Sequence, residues 1–274
     1  MKCEIVINPD MAHHVTHANA LQLGMQRSGI ATRIVSVGER IQHEPDTIAA
    51  CWGWRIGAML DRAGFDVLVM EHGFIGDRRH WTSLGWNGLN GRARFAYPAD
   101  ETRFEANFGD LLQPCDASGT YALLIGQVEG DASIDNIDFR AWCEETAARA
   151  TERLGLPVFF RPHPVAVERG QWTELDNASA TLQLEVPLRE ALQGAAVVLT
   201  YNSNAGTDAV LAGKPTICFD RGAMAWPVAA HGWEIRAIEE GTRKAWCDRL
   251  AWSQFSIAEI IDGAAWEQVS KAYG

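Results

Sequence analysis

The chain has 274 residues, 47% of them hydrophobic and 22% charged, with a formal net charge of −11. This length and balance predict one or two globular domains with substantial cores. The acidity argues against wholesale coating of nucleic acid, although not against a local basic patch.

No apolar run approaches the roughly 18 residues of a membrane span, and the opening Met-Lys-Cys-Glu-Ile-Val-Ile-Asn reads as a strand rather than a secretory leader. The six cysteines are scattered without a Cys-x-x-Cys pair. They are read as reduced thiols of a cytoplasmic protein. Core packing is the default use of the eleven tryptophans, with sugar stacking or a domain seam as alternatives.

In chain order, residues 3–8 read as a strand ended by Pro9. A loop with His13, His14 and His17 follows, then a helix over 18–27 stopped by Ser28-Gly29. Residues 31–37 form the next strand, 47–63 a helix closed by Gly64, and 65–71 a buried strand. The stretch 100–119 lacks a strand pattern and holds Pro114, Asp116 and Ser118-Gly119, which places a domain boundary near 113–119. Beyond it come strand 121–125, helix 138–154, strand 157–161, helix 187–194, strand 197–200, helix 205–212 and strand 216–219. Residues 242–273 read as helical, interrupted at Ser256 and Gly263. The alternation predicts an α/β protein with parallel sheets. Its expected parts are domains 1–118 and 119–241, and a tail, 242–274, packing back toward the first domain.

Two stretches carry chemistry. Residues 197–199 are continuously apolar, as in a strand covered on both faces. Tyr201, Asn202, Ser203 and Asn204 follow as a small-polar turn, and Ser203 or Asn204 can cap the next helix. Gly206 permits close backbone approach, Gly213 stops the helix and Pro215 starts the next strand. A helix N-terminus at a parallel-strand end suits an anion, and Asp208, one turn in, can meet a ribose hydroxyl. An ordinary capped βαβ unit has the same pattern. The second stretch is Arg161-Pro162-His163-Pro164 at the end of strand 157–161. Its prolines stiffen the turn, fixing a forked guanidinium donor and an imidazole at the strand edge. A rigid surface turn is the alternative.

The order of strand, His-Pro turn, helix, strand, Asn-Ser loop and helix ending in Gly213-Lys214-Pro215 resembles the nucleotide-sugar-binding half of GT-B glycosyltransferases. It is similar to the capsule-polysaccharide (Kdo transferase-like) group and its phage relatives. Gly126-Gln127 with the acidic loop after it resembles the opening of that family's second domain. Glu71-His-Gly-Phe-Ile-Gly-Asp-Arg-Arg79 and Ser83-Leu-Gly-Trp-Asn-Gly-Leu-Asn-Gly91 look like its first-domain signature. Residues 246–256 and Gly263-Ala-Ala-Trp266 look like its tail. The similarity covers about residues 65–270, with Asp208 where the family more often has Glu. It implies two Rossmann-like domains facing a cleft, and transfer from a nucleotide-activated sugar to a hydroxyl acceptor on a bacterial or phage glycan. Gly126, Gln127, Arg161, His163, Tyr201, Asn202, Ser203, Asn204, Gly206, Thr207 and Asp208 are the expected donor-binding residues.

Glycosyl transfer needs a phosphate cradle, positive charge or a helix dipole for the leaving group and, if inverting, a base. Arg161 and the helix after Ser203 can serve the leaving group, so no metal or other cofactor is expected beyond the nucleotide-sugar co-substrate. Glu71, Asp77 and His14 are the candidate bases. Glu71 and Asp77 follow a strand in the first half, and His14 resembles the histidine that opens the first helix in several GT-B families. Asp77 beside Arg78-Arg79 could equally be a structural ion pair. His13 and His17 have a metal-pair spacing, but no acidic or cysteine ligand lies nearby in sequence, which favours a solvated turn.

Residues 78–94 read as a glycine-rich acceptor loop. Arg78 and Arg79 offer charge, Trp81 and Trp86 offer stacking faces, and Asn87 offers paired donors and acceptors. Such a loop suits a sugar. It also suits an extruded base, so a phage DNA glycosyltransferase acting on hydroxymethylated pyrimidines is the alternative. A nucleotide-sugar 2-epimerase and a non-catalytic sugar-binding module remain further options.

Overall fold

A computed structural model describes every residue except 42, 99, 177–178 and 274. The strands and helices run β1 (Lys2–Ile7), α1 (Ala12–Arg27), β2 (Ala31–Ser36), β3 (Thr47–Trp52), α2 (Trp54–Arg62), β4 (Val67–His72), β5 (Trp81–Trp86) and α3 (Thr102–Phe108). They continue β6 (Tyr121–Ile125), α4 (Phe139–Leu154), β7 (Val158–Arg161), α5 (Pro164–Glu168), β8 (Thr181–Leu182), α6 (Leu188–Gly194), β9 (Ala195–Thr200), α7 (Ala205–Leu211) and β10 (Thr216–Cys218). The last are α8 (Glu240–Ala251), β11 (Gln254–Ser256), α9 (Ile257–Asp262) and α10 (Ala264–Val269). The chain forms two compact units, Met1–Asn107 with Asp248–Gly274, and Phe108–Cys247.

The first unit holds a sheet ordered β11-β5-β4-β3-β1-β2. Strands β2, β1, β3 and β4 are parallel, while β5 and β11 extend the sheet antiparallel. Three sequence expectations change here. Residues 47–52 are a strand, not helix. Thr-Ile-Ala-Ala-Cys-Trp is wholly buried between β1 and β4, so it lacks the polar alternation that marks a half-exposed strand. Gly53, at φ 80°, makes the break that frees α2 to start at Trp54. Helix α1 begins at Ala12, so His13, His14 and His17 are helical rather than in a loop. The tail is not purely helical, because it supplies β11 before the Ser256–Glu259 capping box opens α9.

Period-2 alternation divides this sheet between two cores. Ile48, Ala50, Trp52, Leu68 and Met70 face the side covered by α1, α9 and α10. Ala49, Cys51, Val67 and Val69 face α2. Gly24 permits the tight α1–α9 crossing, since a Cβ there would sit 1.9 Å from the Ile260 carbonyl oxygen.

The second unit holds an all-parallel sheet ordered β10-β9-β6-β7-β8. Its main strands and helices fall within two residues of the sequence expectations. Local signals explain why. Asp138 caps α4 by accepting from Ala141 N–H at 3.0 Å, and Gly155 closes the helix at φ 65°. Gly213-Lys214-Pro215 is a structural tie. Lys214 is 2% exposed, and its Nζ donates to Asp116 Oδ2 at 2.5 Å, Gln193 O at 2.9 Å and Ser118 O at 3.0 Å.

Each sheet reverses its strand order once among its parallel strands, between β1 and β3 in the first and between β6 and β9 in the second. Ligands in open α/β sheets bind at the carboxyl ends of the strands flanking such a reversal. All six cysteines are free. Burial raises the thiol pKa of Cys3, Cys51 and Cys143, and pushes Cys218 up to about 12, so these are packing residues. Among the described residues, no helix is long and apolar enough to cross a membrane.

Candidate functional site

At the β6/β9 reversal, the expected donor residues separate into a scaffold and a reachable set. Asn202 is 2% exposed. Its Nδ2 donates to Ser133 O at 2.8 Å and Asp220 Oδ1 at 2.9 Å, and its Oδ1 accepts from Gln127 Nε2 at 2.9 Å. Gln127 Oε1 in turn accepts Asn202 N–H at 3.2 Å. The two amides therefore lace together the loops after β6, β9 and β10. Tyr201 packs its ring against Trp142 at 5.3 Å. Thr207 is fully buried, and its hydroxyl has no hydrogen-bond partner among the described residues. Gly206 lets α7 pack on β9, because a Cβ would meet Thr200 Cγ2 at 2.9 Å. Gly126 does the same against the Pro162 backbone, also at 2.9 Å. These residues pack the floor beneath the strand ends.

Arg161, His163, Ser203, Asn204 and Asp208 remain partly accessible around that scaffold. Arg161 donates Nη1–H to the Val186 carbonyl, and burial lowers its pKa. His163 caps α5, its Nδ1 accepting from Val165 N–H at 3.1 Å. The neutral ring consequently carries its proton on Nε2. Ser203 N–H donates to Thr200 Oγ1 at 3.0 Å, which fixes the turn into α7. Beside β10, Ala230 bridges Ile217, and residues 227–242 line a groove of about 580 Å³ that includes His231, Trp233, Arg236 and Glu239.

At the β1/β3 reversal of the first unit, aromatic rings gather at the strand ends. Trp52, at the end of β3, lies 4.5 Å from the ring of His17, 5.0 Å from His13, 5.1 Å from His72 and 6.1 Å from His14. His13 and His72 stack at 6.2 Å. His14 is 7% exposed and its Nδ1 accepts Asn8 N–H at 3.2 Å, so it anchors the β1–α1 turn. His17 Nδ1 donates to His13 O at 2.7 Å. Burial lowers the pKa of His14, His17 and His72, with neighbouring histidines adding to the effect and Arg78 and Arg79 adding to it at His72. Among the described residues, no group of three or more potential ligand side chains could hold a metal.

The three candidate bases do not converge. Alternation along β4 puts Glu71 on the α2 side of the sheet, where its Oε1 would lie 3.5 Å from a Cβ on Gly53. His14 lies on the α1 side. Asp77 is exposed and folded into its own turn, accepting Arg79 N–H at 3.1 Å and contacting His80 Nδ1 at 2.7 Å. Among the described residues its carboxylate contacts His80 and the Arg79 backbone rather than an arginine side chain.

The acceptor loop is also revised. Residues 81–86 are β5, and Trp86 is fully buried, donating Nε1–H to Val269 O at 2.8 Å. Asn87 bonds Val67 N–H at 2.6 Å and Asp66 Oδ1 at 2.8 Å. Trp81 is half-buried under the Arg103 guanidinium at 5.6 Å. Arg79 is exposed, as is Arg78, whose Nε–H donates to Gly73 O at 2.8 Å. Sequence reasoning did not bring Trp52 and His72 together with the histidines of α1. Reading 47–52 as a strand would have brought Trp52 to the sheet edge beside the histidines.

No family model matches the sequence, and no curated protein sequence is similar to it. Solved structures do match. The β-Kdo 2,4 transferase of Thermosulfurimonas dismutans KpsC aligns with a TM-score of 0.62 and 17% identity, over 94% of this chain and 96% of that one. The β-Kdo 2,7 transferase of the same KpsC aligns at 0.58 and 15%, over 95% and 98%. A UDP-GlcNAc 2-epimerase of Methanocaldococcus jannaschii reaches only 0.39, too low to support an argument. The chain has the GT-B fold, the fold of glycosyltransferases that include these Kdo transferases.

Proposed function

We propose that the protein is a glycosyltransferase that moves a sugar from a nucleotide-activated donor to a hydroxyl of a glycan. The observation that carries this reading is the β6/β9 reversal, with the accessible groups of Arg161, His163, Ser203, Asn204 and Asp208 arranged around a rigid amide-laced floor. The guanidinium N–H groups of Arg161 and the Nε2–H of His163 are the donors for phosphate oxygens. Asp208 takes the ribose. The groove lined by residues 227–242 has the volume for a nucleoside.

Transfer proceeds without a resident metal in this reading, with charge on the leaving phosphate met by hydrogen-bond donors. A glycan is preferred to a DNA base as acceptor because the net charge of −11 opposes a polyanionic duplex.

The test is mass-spectrometric detection of transfer from UDP-, GDP- and CMP-activated sugars. The acceptors are oligosaccharides ending in glucose, galactose, N-acetylglucosamine or Kdo, with a hydroxymethylcytosine duplex as a parallel arm. Transfer to an oligosaccharide, undiminished by excess chelator, is expected. Transfer only to the duplex would replace the glycan reading, and loss of transfer in chelator with recovery on adding a divalent ion would refute metal independence. Arg161→Ala should lower kcat/KM at least tenfold, about 1.4 kcal/mol of transition-state stabilisation.

A further inference from the structure

We propose that residues 231–237 are a strap that closes on the nucleoside in the groove of the second unit, exchanging loose ring contacts for bonds to the ligand; this rests on the nucleotide reading above. Ala230 runs parallel to β10 and carries the chain past its carboxyl end. The strap that follows lies between two pinned ends. At the first, Ala230 N–H donates to Thr216 O at 2.8 Å, and Ala230 O accepts Cys218 N–H at 3.0 Å. At the second, Ile238 is buried and its carbonyl accepts the Cys115 thiol. Glu239 then opens α8, its carboxylate accepting Gly241 N–H at 2.9 Å and its carbonyl accepting Arg243 N–H at 2.9 Å.

Between these ends the bonding changes. Among the described residues, none from 231 to 237 makes a backbone–backbone hydrogen bond. Rings supply the contacts instead. His231 stacks on Trp226 at 3.6 Å with planes 10° apart, and its Nε2–H donates to Trp226 O at 2.8 Å. Trp233 packs on Phe219 at 5.1 Å. Arg236 pairs with Glu234 at 2.7 Å, but both belong to the strap, so that ion pair travels with it. Glu234, Ile235, Arg236 and Ala237 are exposed. A segment without main-chain bonds, held by ring contacts at its edge, opens at little cost in free energy.

The same feature gives the ligand its hold. Main-chain N–H and C=O groups that have no protein partner can bond the edge of a base and the hydroxyls of a ribose. Glu234 and Arg236 line the groove, while Ile235 between them does not, so alternate side chains of the strap already face inward. A ligand shifts such an equilibrium only by binding one state better, and its bonds to the strap form once the strap has closed.

The test follows hydrogen exchange of the wild-type protein with and without whichever of UDP, GDP and CMP binds in calorimetry. In the free protein, amides 231–237 should exchange at close to the rate of an unstructured chain, and trypsin should cut after Arg236. At saturating nucleotide, exchange there should slow by about tenfold or more, with the tryptic cut suppressed. Stopped-flow fluorescence, taken as the difference between wild type and Trp233→Phe, should show a phase whose rate levels off as nucleotide concentration rises. That saturation marks a closing step after binding. Nucleotide that binds without slowing exchange at 231–237, or a fluorescence difference lacking a saturating phase, would overturn the strap and leave the nucleotide reading standing. Failure of all three nucleotides to bind would overturn both.

Discussion

Asn202 uses both amide hydrogens and its carbonyl oxygen inside the protein, and Gln127 answers it. Removing either side chain leaves buried polar atoms without partners. Asn202→Ala should therefore lower stability by about 1–3 kcal/mol in urea titration, and should impair donor use only through the displaced loops. The sequence showed polar residues at a strand end, which marks a site, but gave no sign that Gln127 and Asn202 face each other 75 positions apart. The turn before α7 was legible because turn preferences are local. Asn204, the N-cap of α7, nevertheless makes no side-chain cap hydrogen bond, and the cap of α5 by His163 was not foreseen.

Histidine ionisation also sets a pH trend. The folded-state pKa values of His14, His17 and His72 are lowered, so the unfolded chain binds more protons once pH falls below the ordinary histidine value. Stability should decline as pH drops through that window, and His14→Gln should flatten the slope in urea midpoints taken against pH. Asp116 has the usual carboxylate behaviour. Lys214 and Ser118 depress its pKa, so its contribution is present above the ordinary aspartate value and fades as pH falls below it.

At the scale of elements, legibility followed exposure and locality. The second sheet could be read because apolar runs there are bounded by Gly155, Pro162 and Gly213, each an audible stop. Strand β3 was lost because Ala and Cys in a fully buried strand carry neither alternation nor strong β preference, and helix α2 follows with one glycine between. Strand β5 was lost to its glycine and flanking loop signals. Its partner β11 lies some 170 residues on, as in the pairing of Ser83 with Gln254, a match that no local pattern announces.

Two glycines test the packing of elements. At Gly213, φ is +76° and a Cβ would lie 2.1 Å from the Pro114 carbonyl oxygen. Gly213→Ala should cost more than the roughly 1 kcal/mol of the backbone term alone. Gly24→Ala should force α1 from α9 and lower stability by about 1–3 kcal/mol, read by thermal or urea unfolding.

For the whole molecule, the tail divides: residues 242–247 belong to the second unit, and the part from Asp248 onward belongs to the first unit's core. Phe255, Ile260, Trp266 and Val269 pack with residues of β1, β3, β4 and β5, and Gln254 holds the loop after β4 by accepting Phe74 N–H at 2.6 Å and Ile75 N–H at 3.1 Å. A chain ending at residue 247 should lose cooperative unfolding of its first unit, monitored by hydrogen exchange of β1, β3 and β4. The sequence foresaw the α/β class and the GT-B resemblance, because motif order along the chain survives where single motifs are weak. It could not separate the buried polar residues from the accessible ones, since both are small, polar and placed at strand ends.

The central claim is that the strand-end loops at the β6/β9 reversal hold the nucleotide donor. Its most direct test is a crystal structure of the protein soaked with UDP, GDP or CMP, whichever binds in calorimetry. The account predicts phosphate oxygens within hydrogen-bond distance of Arg161, His163 or the Ser203–Asn204 turn, with the nucleoside toward residues 227–242. A nucleotide bound away from the carboxyl edge of that sheet, or no binding by any of the three, would contradict it.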